Sequence, residues 1–111
     1  MKIISGKFRG LKLFLPLNKD TRPLKSIVKE AIFNLLSHSN KFDIQIEKNY
    51  ILDLFSGTGS FGLECLSRGA NHVTFVEESE NAIKILNKNI KKLKSENNVL
   101  TVNKSVYDFI N

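Results

Sequence analysis

Hydrophobic positions along the chain change their period near residue 50. Before it, Leu11, Leu13 and Leu15 alternate with Lys12 and Phe14, and Ser5-Gly6 and Arg9-Gly10 supply turn residues. Lys2–Leu15 is therefore expected to form a short hairpin. A polar connection runs from Pro16 to Pro23. Ile27, Val28, Ala31, Ile32, Leu35 and Leu36 then fall at i, i+1, i+4, i+5, i+8 and i+9. That spacing predicts one apolar stripe on a helix starting at Pro23 or Ser26. Residues 38–48 read as a polar loop. Tyr50–Phe55 is an almost unbroken apolar run, the pattern of a strand covered on both faces. It stops at Ser56-Gly57-Thr58-Gly59-Ser60-Phe61-Gly62, and Phe61–Arg68 follows as a short helix closed by Gly69. His72–Val76 is a second strand ending at Glu77-Glu78. Ser79 is placed to cap a long helix with Ala82, Ile83, Leu86, Ile90 and Leu93 facing inward and lysines facing outward. Val99–Val102 is a third strand, and Tyr107–Ile110 begin a further element. Strand, helix, strand, helix, strand implies a βαβαβ unit with right-handed crossovers and a parallel sheet, so the fold class is α/β.

Composition narrows the possibilities. The chain has 111 residues, 41% hydrophobic and 25% charged, as in a globular protein with one core. Its net charge of +6 is unevenly placed. The first 30 residues hold eight basic and two acidic groups, whereas the remainder is balanced. No apolar run approaches the roughly 20 residues of a membrane span. No apolar h-region follows Lys2, so a secretory signal is not expected, and a cytoplasmic location is the default. Cys65 is the only cysteine, and His38 and His72 lack metal-type spacing, so neither a disulfide nor a metal site is expected.

The chemistry concentrates in Asp53-Leu54-Phe55-Ser56-Gly57-Thr58-Gly59 and in Glu77, eighteen residues beyond Gly59. Glycines at the carboxyl end of a first strand permit a tight turn and close approach of a ligand to the backbone. A carboxylate ending the second strand can accept both hydrogens of a ribose diol. The pair predicts a pocket for a nucleoside-containing cofactor. Gly57, Gly59 and Gly62 also satisfy G-x-G-x-x-G, which keeps a dinucleotide in view. Asp53 argues against one, because a pyrophosphate beside it would be repelled. S-adenosylmethionine carries no phosphate and presents two cations, for which a nearby carboxylate is favourable.

Ile51–Ala70, which contains this glycine segment, resembles the motif I region of the RsmD-type methyltransferases, and Val73–Glu77 resembles their second-strand motif. Ile3–Gly10, Thr21-Arg22-Pro23 and Val28–Asn34 are similar to the opening and first helix of that family. The resemblance runs from Met1 to about Ile110. It implies a Rossmann-like class I fold that transfers a methyl group from S-adenosylmethionine to a guanine exocyclic amine in small-subunit ribosomal RNA. It also implies roles: Asp53, Ser56, Gly57, Thr58 and Gly59 around the methionine part, Glu77 on the ribose, and Glu78 beside the adenine. Ser105 aligns where the family has Asn or Asp for the adenine edge, with Asp108 as a substitute. The family's four-residue (Asp/Asn)-Pro-Pro-(Tyr/Phe) motif has no counterpart, since Pro16 and Pro23 are the only prolines. No catalytic residue is therefore expected in this chain, which is expected to be the N-terminal part of a longer enzyme and inactive alone. A missing C-terminal half or a second chain would complete the sheet.

Two units follow from this reading: a basic arm at residues 1–22, and the first half of a cofactor-binding domain at residues 23–111. Lys7, Arg9, Lys12 and Arg22 are candidates for RNA phosphates, and Phe8 for stacking on a base. The partner would be small-subunit ribosomal RNA or the assembling subunit, and Arg22 has a rival role on the cofactor's carboxylate. The lysines at 84, 88, 91, 92 and 94 read as a solvent face. Two other functions stay open: a nicotinamide-dependent oxidoreductase domain using Gly57, Gly59, Gly62 and Glu77, and a non-catalytic RNA-binding module.

Overall fold

The computed structural model describes residues 1–16, 26–38 and 45–111. Its elements are α1 (Ser26–His38), β1 (Tyr50–Asp53), α2 (Ser60–Ser67), β2 (His72–Val76), α3 (Glu80–Lys92), β3 (Val99–Val102) and α4 (Val106–Ile110), with a 3-10 turn at Glu96–Asn98. The strands form a parallel sheet in the order β1-β2-β3. In register, Leu52 pairs with Thr74 and Thr74 with Leu100. This is the expected βαβαβ unit. Ser79 caps α3 as its residue type predicts, its hydroxyl accepting the Ala82 N–H at 3.2 Å. Gly69, at φ +108°, follows α2 in the left-handed conformation that ends helices.

One hydrophobic cluster joins Leu63 and Leu66 of α2, Val73 and Phe75 of β2, Leu86 and Ile90 of α3, Phe33 of α1, and Ile3 and Leu13. Gly62 lets α2 lie directly on the sheet, for a Cβ there would stand 2.3 Å from the Phe75 ring. All of this packing is on one face of the sheet. On the other face Tyr50 and Leu52 are 78% and 53% exposed, and Leu100 is also exposed. The expectation of a strand covered on both faces is thus met on one face only among the described residues. The apolar run encodes two covering layers, and these residues supply one.

The N-terminal segment folds back as expected, but through a single antiparallel bridge, Lys2 to Lys12, rather than a regular hairpin. The amides of Ile4, Ser5, Lys7 and Phe8 leave the ladder because they bond to α2 instead, whereas Gly10 N–H still donates across the turn to Ile3 O at 2.9 Å. Ile4 and Ser5 donate to the Glu64 carboxylate at 2.9 and 3.1 Å, and Phe8 to Ser67 Oγ at 2.9 Å.

Helix α1 departs from its predicted orientation. Ile27, Val28 and Leu35 of the apolar stripe are exposed, while Lys29 and Phe33 are fully buried. Lys29 Nζ lies 3.2 Å from Glu64 Oε1 and donates to Lys2 O and Ser60 Oγ. Arg68 Nε pairs with the other Glu64 oxygen at 2.9 Å. A buried charge must be paired, so the Glu64 site selects the face α1 presents. The expected start of this helix at Pro23 lies outside the described residues.

Candidate cofactor site

The glycine segment leaves β1 and turns over the end of β2 into α2. Gly57 and Gly59 adopt φ of +54° and +94°, which glycine accepts without steric cost. Ser56 is held inward, its N–H and its hydroxyl both donating to Val76 O at 3.1 Å. Thr58 and Gly59 are buried. These three residues can therefore offer a ligand little but backbone.

Glu77, at the end of β2, reaches back to this turn. Its Oε1 accepts the Gly57 N–H at 2.8 Å, and its Oε2 accepts the Ser79 N–H at 2.9 Å. A carboxylate oxygen accepts more than one hydrogen bond, so both keep capacity for a diol. Asp53 lies beneath the turn on the packed face of the sheet. Burial pushes its carboxyl above the ordinary value of 3.8, the backbone N–H groups of Phe55 and Gly62 oppose that shift, and the Glu77 charge adds to it. Its Oδ2 is buried with no hydrogen-bond partner among the described residues.

A cleft of about 300 Å3 opens beside Glu77, lined by Leu54, Phe55, Glu78, Ser105 and Tyr107 among others. It brings together Glu77, Glu78 and Ser105 of the expected cofactor residues. Gly57 joins them through its bond to Glu77, while Asp53, Ser56, Thr58 and Gly59 do not line the cleft. The Ser105 hydroxyl caps α4 by accepting the Asp108 N–H at 3.1 Å, and Asp108 itself is exposed away from the cleft lining. Sequence reasoning did not single out Asn103. Its Nδ2 donates to Glu77 O at 2.9 Å and Glu78 O at 3.1 Å, fixing the turn that carries both carboxylates. Its place immediately after an apolar strand is the available signal. Cys65 has no role in the cleft; burial, with the Asp53 and Glu64 charges, pushes its thiol up to about 12.

Lys7, Arg9 and Lys12 are exposed on the folded-back segment, with Lys7 Nζ 5.2 Å from the Phe8 ring centroid. Phe8 is half-buried and packs against the core, so only part of its ring is free to stack. The lysines at 84, 88, 91, 92 and 94 are exposed. Arg22 lies outside the described residues. No helix among the described residues is long and apolar enough to cross a membrane.

A parallel three-stranded sheet with a glycine turn after its first strand and an acid after its second has clear relatives. The family described as Conserved hypothetical protein 95 matches residues 1–111. Ribosomal RNA small subunit methyltransferase D of Haemophilus influenzae is 38% identical over 111 residues, covering 99% of this chain and 54% of that protein. The Escherichia coli protein of the same name is 36% identical over 110 residues, with 99% and 52% covered. A solved Escherichia coli structure, provisionally named methyltransferase yhhF, superimposes with a TM-score of 0.83 at 34% identity, over 99% of this chain and 55% of that one. The chain thus spans about half the length of these relatives and corresponds to their N-terminal part. A match over the whole of its length, together with the shared fold, establishes that the chain belongs to the conserved hypothetical protein 95 family, that of the RsmD-type methyltransferases.

Proposed function

We propose that this chain is the donor-binding half of an S-adenosylmethionine-dependent enzyme that methylates the exocyclic amine of a guanine in small-subunit ribosomal RNA. The bond from Gly57 N–H to the Glu77 carboxylate, at 2.8 Å, carries this reading. In a dinucleotide site the glycine-turn amides are free for a pyrophosphate. Here a fixed anion already holds one of them, and the unpaired, buried Asp53 oxygen adds a second acceptor nearby. A phosphate-free, cationic nucleoside fits that donor set, and a pyrophosphate does not.

When bound, the cofactor supplies an electrophilic methyl group. Glu77 would accept its ribose hydroxyls, Glu78 and Ser105 would flank the adenine, and Leu54, Phe55 and Tyr107 would give the base an apolar wall. Ser56, Gly57, Thr58 and Gly59 would shape the methionine side, chiefly through backbone, and Asp53 would present its carboxylate there. The names of the relatives support ribosomal RNA as the substrate. A guanine amine is a weak nucleophile, so its methylation depends on positioning and on acceptors for its hydrogens. The proline-proline motif expected for that task is not in this chain. Alone, the chain is expected to take up donor and RNA without transferring methyl, and turnover of tritiated donor on ribosomal RNA would contradict this.

On the arm, Lys7, Arg9 and Lys12 would meet phosphates, Phe8 would offer its free ring edge, and Arg22 would join them. Charge reversal at Lys7 and Arg9 together is expected to weaken binding of a small-subunit ribosomal RNA fragment about tenfold or more at low salt. It should also flatten the slope of log affinity against log salt by about two, one for each phosphate no longer neutralised. Filter binding across a salt series reads both, and unchanged affinity at low salt removes the arm from the RNA interface.

A further inference from the structure

Asn89 is a polar residue on the packed face of α3, fully buried beside Leu86 and Ile90. A primary amide in that position must find partners within the protein. Its Oδ1 accepts the Phe14 N–H at 2.7 Å, and its Nδ2 donates to Phe14 O at 3.2 Å. The second Nδ2 hydrogen goes to Thr58 O at 2.9 Å. One side chain therefore holds the N-terminal segment with a reciprocal pair of bonds and holds the glycine turn with a third.

We propose that Asn89 is a positioning residue that fixes the Thr58–Gly59 peptide to the backbone of the arm at Phe14, linking the state of the arm to the state of the cofactor site. The inference rests on the reading that the glycine turn receives the donor and the arm receives RNA. Thr58 lies between two glycines at positive φ, so its carbonyl has few local restraints. That carbonyl shares a peptide plane with Gly59 N, which donates to Ser56 O at 2.9 Å. Releasing Thr58 O frees the plane and loosens the turn. At the other end Phe14 is 48% exposed, next to exposed Lys12, with Lys92 Nζ 5.0 Å from its ring centroid. A ligand pressing on this part of the arm acts on the backbone that Asn89 grips. The linkage is reciprocal, so donor binding would in turn favour the docked arm.

Amide hydrogen exchange followed by NMR on the full chain tests this with a pair of substitutions. Phe14→Pro removes the N–H that Asn89 accepts, whereas Phe14→Ala removes the ring and keeps both backbone bonds. Gly59 exchange is expected to rise about five- to tenfold in Phe14→Pro, the scale of one hydrogen bond. It should stay at the wild-type rate in Phe14→Ala, and Val73–Val76 should be unchanged in both. Asn89→Leu removes all three bonds and should accelerate Gly59 most. Because it also disturbs the core, Phe14→Pro decides. Wild-type exchange at Gly59 in Phe14→Pro, equal acceleration in both Phe14 variants, or acceleration of β2 by the same factor overturns the proposal. Titration of the same proteins with S-adenosylmethionine separates the two ideas. Absence of binding to the wild type defeats the donor reading and leaves the exchange result standing; equal affinity in wild type and Phe14→Pro defeats the linkage.

Discussion

Glu64→Gln is expected to lower the unfolding free energy by about 3–5 kcal/mol, the cost of leaving a buried charge unpaired. Lys29 and Glu64 are both fully buried, with Nζ and Oε1 3.2 Å apart. The glutamine keeps one acceptor but turns an amide NH2 toward a site where Ile4 N–H, Ser5 N–H and Arg68 already donate. Burial alone lowers the Lys29 pKa, and with Glu64 neutral little remains to oppose that. A domain of this size holds about 5–15 kcal/mol in all, so the variant should stand at the edge of unfolding at room temperature. Urea denaturation measures the loss. Adding Lys29→Met removes the stranded ammonium, and the double variant should recover part of the difference. The pH dependence has a definite sign. Burial would raise the Glu64 carboxyl, but the Ile4 N–H, Arg68 and Lys29 outweigh it and hold the group below its ordinary 4.5. The folded state then binds that proton less readily than the unfolded chain. Its contribution is complete above about pH 4.5 and is lost as pH falls further, through the folded value. In Glu64→Gln this acid-side loss should be absent.

Glu77→Gln is expected to weaken S-adenosylmethionine binding about 10- to 100-fold. The substitution would remove charge from the hydrogen bonds proposed between Glu77 and two ribose hydroxyls, each stronger by about 1 kcal/mol or more when its acceptor is ionised. It also turns an amide NH2 toward one of the Gly57 and Ser79 N–H groups that Glu77 now holds at 2.8 and 2.9 Å, so the turn itself loses a restraint. Fold stability should change far less than in Glu64→Gln, because Glu77 is only half-buried. Isothermal calorimetry and a urea curve on the same sample distinguish loss of the site from loss of the fold. An affinity equal to wild type would remove Glu77 from the cofactor site.

Much of this architecture was legible in local pattern. The switch from helical spacing to the Tyr50–Phe55 run located β1, and Ser79 and Gly69 marked the helix ends where they lie. Glu77 stood out because a carboxylate at the end of a second strand has a chemical use there, and it lies at the end of β2 bonded to the glycine turn, as its position implies. The features that were missed depend on distant partners. Lys29 and Asn89 belong by type to a solvent face, yet both are fully buried. Asn89 finds its main partner 75 residues away, and Glu64 binds amides 59 and 60 residues away. Periodicity found the widest apolar stripe on α1, but the charge at Glu64 decided which side packs. The Tyr50–Leu52 run was right about hydrophobicity and silent about which elements cover it. Ser105 illustrates a different limit: alignment placed it at the adenine, and its residue type equally suits the cap it makes on α4.

The glycine turn, already holding the Glu77 carboxylate, is expected to receive a phosphate-free cationic nucleoside. Calorimetric titration of the chain with S-adenosylmethionine, and separately with NAD, tests it most directly. Saturable binding of S-adenosylmethionine, lost in Asp53→Ala, is the predicted result, together with no binding of NAD. Binding of NAD, or of neither compound by folded protein, would contradict it.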